Sequence, residues 1–181
     1  MIIPAANGFQ LPALRSLGDL AGVEPVIVID SREQQPLVFT RLPSRTATLK
    51  TADYSLDGCV HTVAIERKSS IDELITCFTT ERERLEAELL RMMAYPFRRL
   101  AIIGDQNDIE SHRYRSRAAP RSVLHTLSAF EVRYQLPICF FPNDEAMAKQ
   151  VESWIFWIAR DVVRDANNLL RASRFRDENG K

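Results

Sequence analysis

The sequence lacks several features that would point to particular classes of protein. Its three cysteines, Cys59, Cys77 and Cys139, are widely spaced and odd in number, which excludes a disulfide framework and a Cys-x-x-Cys metal site. No run approaches the roughly 20 apolar residues of a membrane span, and the N-terminus has no basic segment of the export type. We therefore expect a cytoplasmic protein with no membrane partner.

The sequence also lacks net charge. Lys and Arg together number 24, as do Asp and Glu, so no global field indicates a nucleic acid or a membrane surface. Within the basic set lysine is scarce, with four Lys against 20 Arg. Lys68, which stands two residues after Glu66, is therefore a candidate for a specific role. Any electrostatic partner has to be inferred from local clusters such as this one.

The length of 181 residues is typical of one domain with its own hydrophobic core. Residues 1–24 are rich in Gly, Pro and small residues, and we interpret them as an extension that packs on the domain or docks a partner. The domain itself is predicted over residues 25–171, and residues 172–181 are predicted to be a polar tail.

Hydrophobic periodicity predicts alternating strands and helices in the second half of the chain. Strands are expected at 26–30, 45–50, 61–66, 98–105 and 137–141, with Asp57-Gly58 as a turn between the second and third. Residues 69–95 predict two helices, or one kinked near Thr79-Thr80. A helix at 120–134 opens with Pro120, and Asn143 or Asp144 caps a last helix to about residue 171. The pattern predicts an α/β fold with a mixed sheet flanked by helices on both faces.

A cluster of charges ends the predicted strand at 61–66. Because alternate strand residues share a face, Glu66 and Lys68 point to one side and Arg67 to the other. We expect the strand to leave the core at Glu66, with Asp53 on the neighbouring strand close to the turn. Carboxylate oxygens are ligands for Mg²⁺, and an adjacent ammonium stabilises charge during phosphodiester hydrolysis. A surface charge cluster is the alternative.

Further acids lie near this cluster in the predicted fold. Asp30 and Glu33 follow the first buried strand, where strand ends of α/β sheets tend to form sites, although solvated loop acids are the alternative. Asp72 fits a capping box with Ser69 as N-cap and Asp72 at the third helical position. The conjunction of these acids, rather than any one of them, indicates a site.

Three motifs, "VIDSRE", "ADY" and "IERKSSIDEL", resemble in order and spacing the XPF-type structure-specific endonucleases, whose signature is V-x-D-x-R-E, G-D-Y and E-R-K-x-x-x-D. The likeness covers about residues 26–165. It implies a restriction-endonuclease-like core, dependence on Mg²⁺ or Mn²⁺, and incision of branched or flapped DNA. The short length resembles single-domain bacterial or phage-encoded members.

Carried over residue by residue, the resemblance implies roles for the motif positions. Asp53 and Glu66 would hold the metal, Asp30 and Glu33 would complete or hydrogen-bond its shell, and Lys68 would position the attacking water. Arg32 and Arg67 would hold site carboxylates or phosphates. The resemblance also places Asp72 in the active-site motif.

The sequence departs from the family pattern at three places. Ala52 replaces a Gly, which would strain the backbone if that position needs a positive φ. The family helix R-x-x-x-Q-x-x-R-L has Glu86 or Glu88 near its Gln position. The tandem helix-hairpin-helix module of larger members is not visible in the sequence. Because that module helps to select the DNA structure, the resemblance supports a substrate preference less than it supports the other family properties.

Two segments predict partners. Residues 111–122 carry four Arg and no acid, so Arg113, Arg115, Arg117 and Arg121 could bind phosphates and Tyr114 could stack on an unpaired base; a solvated loop is the alternative. Residues 151–163 are apolar on more than one helical face, which favours a homodimer over burial in one larger core.

Together these features predict a metal-dependent DNA endonuclease. A non-catalytic DNA-binding subunit of the same fold is the alternative from another class, but such a subunit would be expected to lose the acids or Lys68. A Holliday-junction resolvase or restriction-like nuclease is a third interpretation, and only a panel of substrates would separate it.

Overall fold

A computed structural model describes residues 24–178, without the side chains of residues 170 and 173–178. It contains one six-stranded mixed sheet with strand order β2-β1-β3-β4-β5-β6. The strands are β1 (Ile27–Asp30), β2 (Ser44–Ala47), β3 (Tyr54–Leu56), β4 (Val63–Lys68), β5 (Phe97–Ile103) and β6 (Ile138–Phe141). The helices are α1 (Ile71–Thr79), α2 (Arg82–Met92), α3 (Gln106–Glu110), α4 (Pro120–Tyr134) and α5 (Asp144–Glu178).

The directions of the strands bring the predicted motifs to one edge of the sheet. β3 pairs antiparallel with both β1 and β4, so β1 and β4 run in the same direction. β5 and β6 then continue parallel to β4. The carboxyl ends of β1 and β4 therefore meet the amino end of β3, which places Asp30, Asp53 and Glu66 at the same edge.

Helices cover both faces of the sheet, as the sequence predicts. On one face, α1, α2 and α4 enclose a cluster whose fully buried members include Leu74, Leu89 and Phe130. On the other face, α5 buries Val151 and Ile155 against Ile27 and the rest of the first strands. β1 and the first half of β4 are continuous apolar runs because both of their faces are buried.

One prediction about strand pairing is wrong. The turn at Asp57-Gly58 does join two strands, but the first of them is β3, within the segment assigned to the connection, and not the strand at 45–50. The latter is shorter, Ser44–Ala47, and pairs parallel with β1 at the sheet edge. Exposed β-branched residues there gave a stronger strand signal than the three buried residues of β3.

The helices follow the predicted pattern closely. Residues 69–95 contain two helices, which are separated by Thr80 and Glu81, and α4 begins at Pro120. Asn143 Oδ1 accepts the N–H of Ala146 at 2.9 Å and so caps α5. That helix continues to Glu178, through most of the predicted tail. The predicted extension, residues 1–24, lies outside the described residues except for Glu24, and no helix among those described is long and apolar enough for a membrane span.

Candidate active site

A cleft of about 830 Å³ opens at the edge of the sheet where β1, β3 and β4 meet. Motif residues and two further arginines of α2 line it. Its lining includes Asp30, Arg32, Glu33, Ala52, Asp53, Glu66, Arg67, Lys68, Ser69, Glu73, Arg84, Glu88 and Arg91. Asp72 is absent from this lining. Six of the seven predicted catalytic residues are therefore brought together.

Glu66 and Lys68 form a buried ion pair at the end of β4. Lys68 Nζ donates to Glu66 Oε1 at 2.7 Å, and both side chains are almost fully buried. The expectation that the strand leaves the core at Glu66 is wrong, because all of β4 is buried, including Glu66 and Lys68. Lys68 also lies 3.7 Å from Glu73, a residue that the sequence did not single out.

Burial governs how this pair titrates. Burial raises the pKa of Glu66 to about 8, and repulsion from Asp53 adds to the rise, while Lys68 opposes it. For Lys68 burial alone would lower the pKa, but attraction to Glu66, with smaller effects from Cys77 and Glu73, raises it above the usual value. Lys68 therefore stays protonated at neutral pH and acts as a hydrogen-bond donor, not as a base.

Asp53 precedes β3, at the opposite end of the hairpin from the Asp57-Gly58 turn. The expectation that it lies near that turn is wrong. Its backbone N–H donates to Ile65 O, and its Oδ2 accepts the N–H of Arg67 at 2.7 Å. Burial, together with the charges of Glu33 and Glu88, raises the pKa of Asp53 to about 6 despite this bond and Lys68. Backbone bonds to β4 thus fix the Asp53 carboxylate beside the Glu66–Lys68 pair.

Ala52 adopts the left-handed conformation that its family position predicts, with φ of 62°. A Cβ is disfavoured there, at a cost on the order of 1–2 kcal/mol. Glu88 on α2 offsets part of this strain, since its Oε1 accepts the N–H of Ala52 at 3.2 Å and lies 3.4 Å from Thr51 Oγ1. Of the two candidates for the family Gln position, Glu88 is the one that reaches the site. Glu86 instead pairs with Arg82 and lies 3.7 Å from Arg133.

The Asp30 carboxylate is engaged by its own loop. It accepts bonds from the N–H and guanidinium of Arg32 and from the N–H of Leu49 at 2.6 Å. Burial alone would raise its pKa, but these bonds outweigh burial and lower it. The geometry shows Asp30 organising the loop around the cleft.

Arg67 lies on the opposite face of β4 from Glu66 and Lys68, as strand alternation predicts. Its guanidinium donates to Asp144 at 2.8 Å and to Gln35 O, and lies 3.7 Å from Glu33. Glu33 in turn accepts the N–H of Gln35 at 2.8 Å. Arg67 therefore ties the end of β4 to the first residue of α5 and to the loop after β1, a contact with Asp144 that the sequence did not indicate.

The N-terminus of α1 differs by one residue from the prediction. Ser70, not Ser69, is the N-cap, and its hydroxyl accepts the N–H of Glu73 at 3.1 Å. Glu73 also accepts the N–H and hydroxyl of Ser69. The predicted capping box of Ser69 and Asp72 is therefore wrong. Asp72 instead accepts the N–H of Arg115 at 2.7 Å.

The predicted DNA-binding loop is internally ordered. Arg113 pairs with Asp108 at 2.7 Å, and the half-buried Tyr114 stacks on His112 at 4.3 Å while its hydroxyl donates to Ala118 O. These contacts commit Arg113 and one face of Tyr114 to the structure of the loop. Exposed guanidiniums remain at Arg115, Arg117 and Arg121.

The donor set of the cleft suits a hard divalent cation. Asp53 and Glu66 are buried carboxylates that disfavour each other's ionisation, so a bound cation would relieve their repulsion. Within residues 24–178 no three His, Cys, Asp or Glu side chains are placed to hold a metal by themselves. Mg²⁺ is commonly held by one or two carboxylates, with waters and substrate phosphates completing its shell, which this pair could provide.

A mixed sheet with helices on both faces and a Glu-x-Lys pair beside an Asp at one edge defines a domain of the restriction-endonuclease-like class. Residues 29–153 match the family model described as the ERCC4 domain. The chain therefore belongs to the ERCC4 domain family, the family of XPF-type DNA nucleases. No protein of curated function matches it.

Two similar solved structures support the same fold. One is "XPF from Aeropyrum pernix", with a TM-score of 0.58 and 21% identity over 74% of this chain and 61% of that chain. The other is "XPF from Aeropyrum pernix, complex with DNA", with a TM-score of 0.56 and 20% identity over 76% of this chain and 66% of that chain. The chain thus spans less than two thirds of either structure.

Proposed function

We propose that the chain is a metal-dependent endonuclease that hydrolyses phosphodiester bonds in branched, flapped or single-strand-containing DNA. The observation that carries this proposal is the buried Glu66–Lys68 pair, at 2.7 Å, facing the same cleft as Asp53. Burying three ionisable groups costs stability, and a catalytic role would explain why that cost is retained, since all three are the residue types that phosphodiester hydrolysis needs. One of the similar structures, XPF from Aeropyrum pernix, is a complex with DNA, which supports DNA as the substrate.

Asp53 and Glu66 would hold Mg²⁺, with Mn²⁺ as a substitute. When bound, such an ion polarises the phosphate and lowers the pKa of an attacking water. Lys68 stays protonated, and its ammonium can donate to that water while it stabilises the negative charge that develops on the phosphate. Glu33 lies 3.7 Å from Arg67 and repels Asp53, so its position favours support of the metal shell over direct binding. Asp30 organises the loop of Arg32.

Exposed arginines border the cleft and would bind the DNA backbone. Arg84 and Arg91 lie on one face of α2 and line the cleft. Arg32, on the loop after β1, lines it as well. Guanidinium groups bind phosphate oxygens in a bidentate manner, so these residues can hold the strand on either side of the reacting phosphate. They join Arg115, Arg117 and Arg121 as candidates for DNA contacts.

A homodimer through the nuclease domain remains part of the proposal. Most of the apolar helix at 151–163 is used within the chain's own core, since Val151, Ile155 and Phe156 are buried. Trp157 is 36% exposed and Val162 is 41% exposed. These two would lie at the contact between subunits, and light scattering at micromolar concentration would show a mass of two chains. A cytoplasmic location, in a bacterium or its phage-infected cell, remains a prediction from the sequence.

The test is cleavage of labelled 3′-flap, fork, four-way-junction and plain duplex DNA with Mg²⁺, with Mn²⁺ and with EDTA. Incision of branched substrates should depend on the metal and fall about 100-fold or more in Asp53→Asn. Asp57→Asn is the matched control, because Asp57 lies on the same hairpin but pairs with Arg45 in solvent. Tight junction binding without cleavage would favour the non-catalytic subunit, and preferred cleavage of four-way junctions would favour a resolvase.

A further inference from the structure

We infer that Asp72 is a positioning residue that holds the arginine-rich loop, residues 111–118, against the start of α1, so that Arg115 and Arg117 bind the DNA backbone at a fixed distance from the cleft. This inference rests on the proposed function, because it assigns the loop a place on the same DNA. It differs from the role that the family motif implied for Asp72, which is membership of the catalytic group.

The contacts of Asp72 point to the loop and not to the cleft. Its Oδ1 accepts the N–H of Arg115 at 2.7 Å, and its Oδ2 lies 3.9 Å from Arg115 Nε. Asp72 does not line the cleft. The cap of α1 does not need it either, since Ser70 serves that position. Its partner Arg115 is 43 residues away in the sequence, so this bond is a tertiary contact between α1 and the loop.

The loop is an internally bonded unit. Its other side-chain hydrogen bonds in the described part of the chain stay within residues 107–118, and they include the Arg113–Asp108 pair and the Tyr114–Ala118 bond. Tyr114 and Ala118 pack at the border of a core cluster. Asp72 is therefore the hydrogen-bonding group that sets where this ordered loop lies relative to α1.

The first turn of α1, which contains Asp72, also contacts the active site. Glu73, the next residue, accepts two bonds from Ser69 and lies 3.7 Å from Lys68. The first turn of α1 thus connects the catalytic strand on one side with the loop on the other. The Arg115 side chain is 95% exposed and Arg117 is exposed, so both guanidiniums are presented to a bound strand. A fixed loop would bind phosphates at a fixed spacing from the reacting one.

The experiment measures affinity for fluorescent fork DNA, in Ca²⁺ or EDTA, and steady-state cleavage in Mg²⁺. Asp72→Ala should weaken binding and raise KM about tenfold, the size of one hydrogen bond to a charged group, with kcat changed by less than about threefold. Asp72→Asn retains an oxygen that accepts the Arg115 N–H and should restore most of the affinity. Glu110→Gln is the matched control, because it removes a nearby negative charge that bonds only within α3.

A double-mutant cycle tests the link directly. If Asp72 acts through the loop, Asp72→Ala should weaken DNA binding little further when it is added to a variant that already lacks both guanidiniums, Arg115→Ala with Arg117→Ala. Hydrogen exchange should show faster exchange in residues 111–118 of Asp72→Ala while β4 keeps its protection, which separates release of the loop from unfolding. Additive losses, or a loss of kcat in Asp72→Asn as large as in Asp72→Ala, would overturn the inference. Failure of the wild-type chain to bind any DNA would instead remove the proposed function, and this inference with it.

Discussion

Glu88 on α2 accepts the backbone N–H of Ala52 at 3.2 Å, so a helix holds in place the left-handed residue that precedes Asp53. The family pattern has Gly and Gln at these two positions. In this chain a methyl group replaces the hydrogen, and a carboxylate replaces the amide. The carboxylate also contributes to the raised pKa of Asp53 and of Glu66, so the two substitutions affect both the conformation and the charge of the site.

We expect Glu88→Gln to keep the stability of the fold and Glu88→Ala to lower the free energy of unfolding by about 1–2 kcal/mol. Gln retains an oxygen for the N–H of Ala52, whereas Ala leaves that buried donor without a partner. Urea unfolding at pH 8 in EDTA measures the difference. Glu86→Ala is the control on the same helix, since Glu86 pairs at the surface. Equal losses for Gln and Ala would contradict the hydrogen-bond account.

The metal-free protein should become less stable as the pH rises from about 4 to 8. A carboxylate whose pKa is raised in the folded state binds its proton more tightly there, so its stabilisation is full below the unfolded pKa and is lost as the pH passes the folded pKa. For Asp53 that window ends near pH 6, and for Glu66 near pH 8. Urea unfolding at pH 5, 6.5 and 8 in EDTA measures the loss.

Asp53→Asn should flatten this pH profile and raise stability at pH 8, by on the order of 1–3 kcal/mol. Asp57→Asn should not, because attraction to Arg45 lowers the pKa of Asp57 and so gives the opposite slope. Added Mg²⁺ should stabilise the wild-type chain more at pH 8 than at pH 5. A flat profile for the wild-type chain would show that neither acid is buried in the charged state.

Lys68→Met should destabilise the chain by about 3 kcal/mol, since it leaves Glu66 buried without its partner. Glu66→Gln combined with Lys68→Met should recover most of this loss, because neither buried charge then remains. Cleavage should stay absent in both variants. The free energy of unfolding and the rate of fork cleavage, measured on the same preparations, separate the two effects. A double variant as unstable as Lys68→Met would argue against the ion pair.

Arg117→Ala should lower the slope of log affinity against log salt by about one, and Arg113→Ala should lower it much less. Arg117 is exposed, whereas the guanidinium of Arg113 is held by Asp108 at 2.7 Å. Fluorescence anisotropy with fork DNA between 50 and about 200 mM salt gives both slopes. If the two substitutions had the same effect, the Arg113–Asp108 pair would have to open on binding.

Strand alternation and helical period were sufficient to predict much of this structure. The opposite directions of Glu66 and Arg67, the start of α4 at Pro120 and the break near Thr80 all follow from local pattern. These features depend on neighbours in the sequence. The motif then placed six acids and bases in one cleft, because strand directions in this fold bring distant segments to one edge.

What could not be predicted depends on tertiary contacts or on one-residue choices. Ser69 and Ser70 are equally good caps by type, and only the geometry of α1 selects Ser70. Glu86 and Glu88 lie two residues apart on α2, and the direction of each was set by where the helix packs. The three residues of β3 are too few to show a period. The bonds of Asp30 to Leu49 and of Asp72 to Arg115 join segments 19 and 43 residues apart.

The alternation of Glu66, Arg67 and Lys68 fixes the register of β4. A strand with both faces buried and charged residues on each has no spare register, since a slip of one residue would turn the guanidinium into the cleft and the ammonium toward α5. An insertion or deletion within β4 would therefore misplace both groups. The spacing of the six residues of β4 therefore sets the geometry of the site, and the loops around the strand can vary in length without changing it.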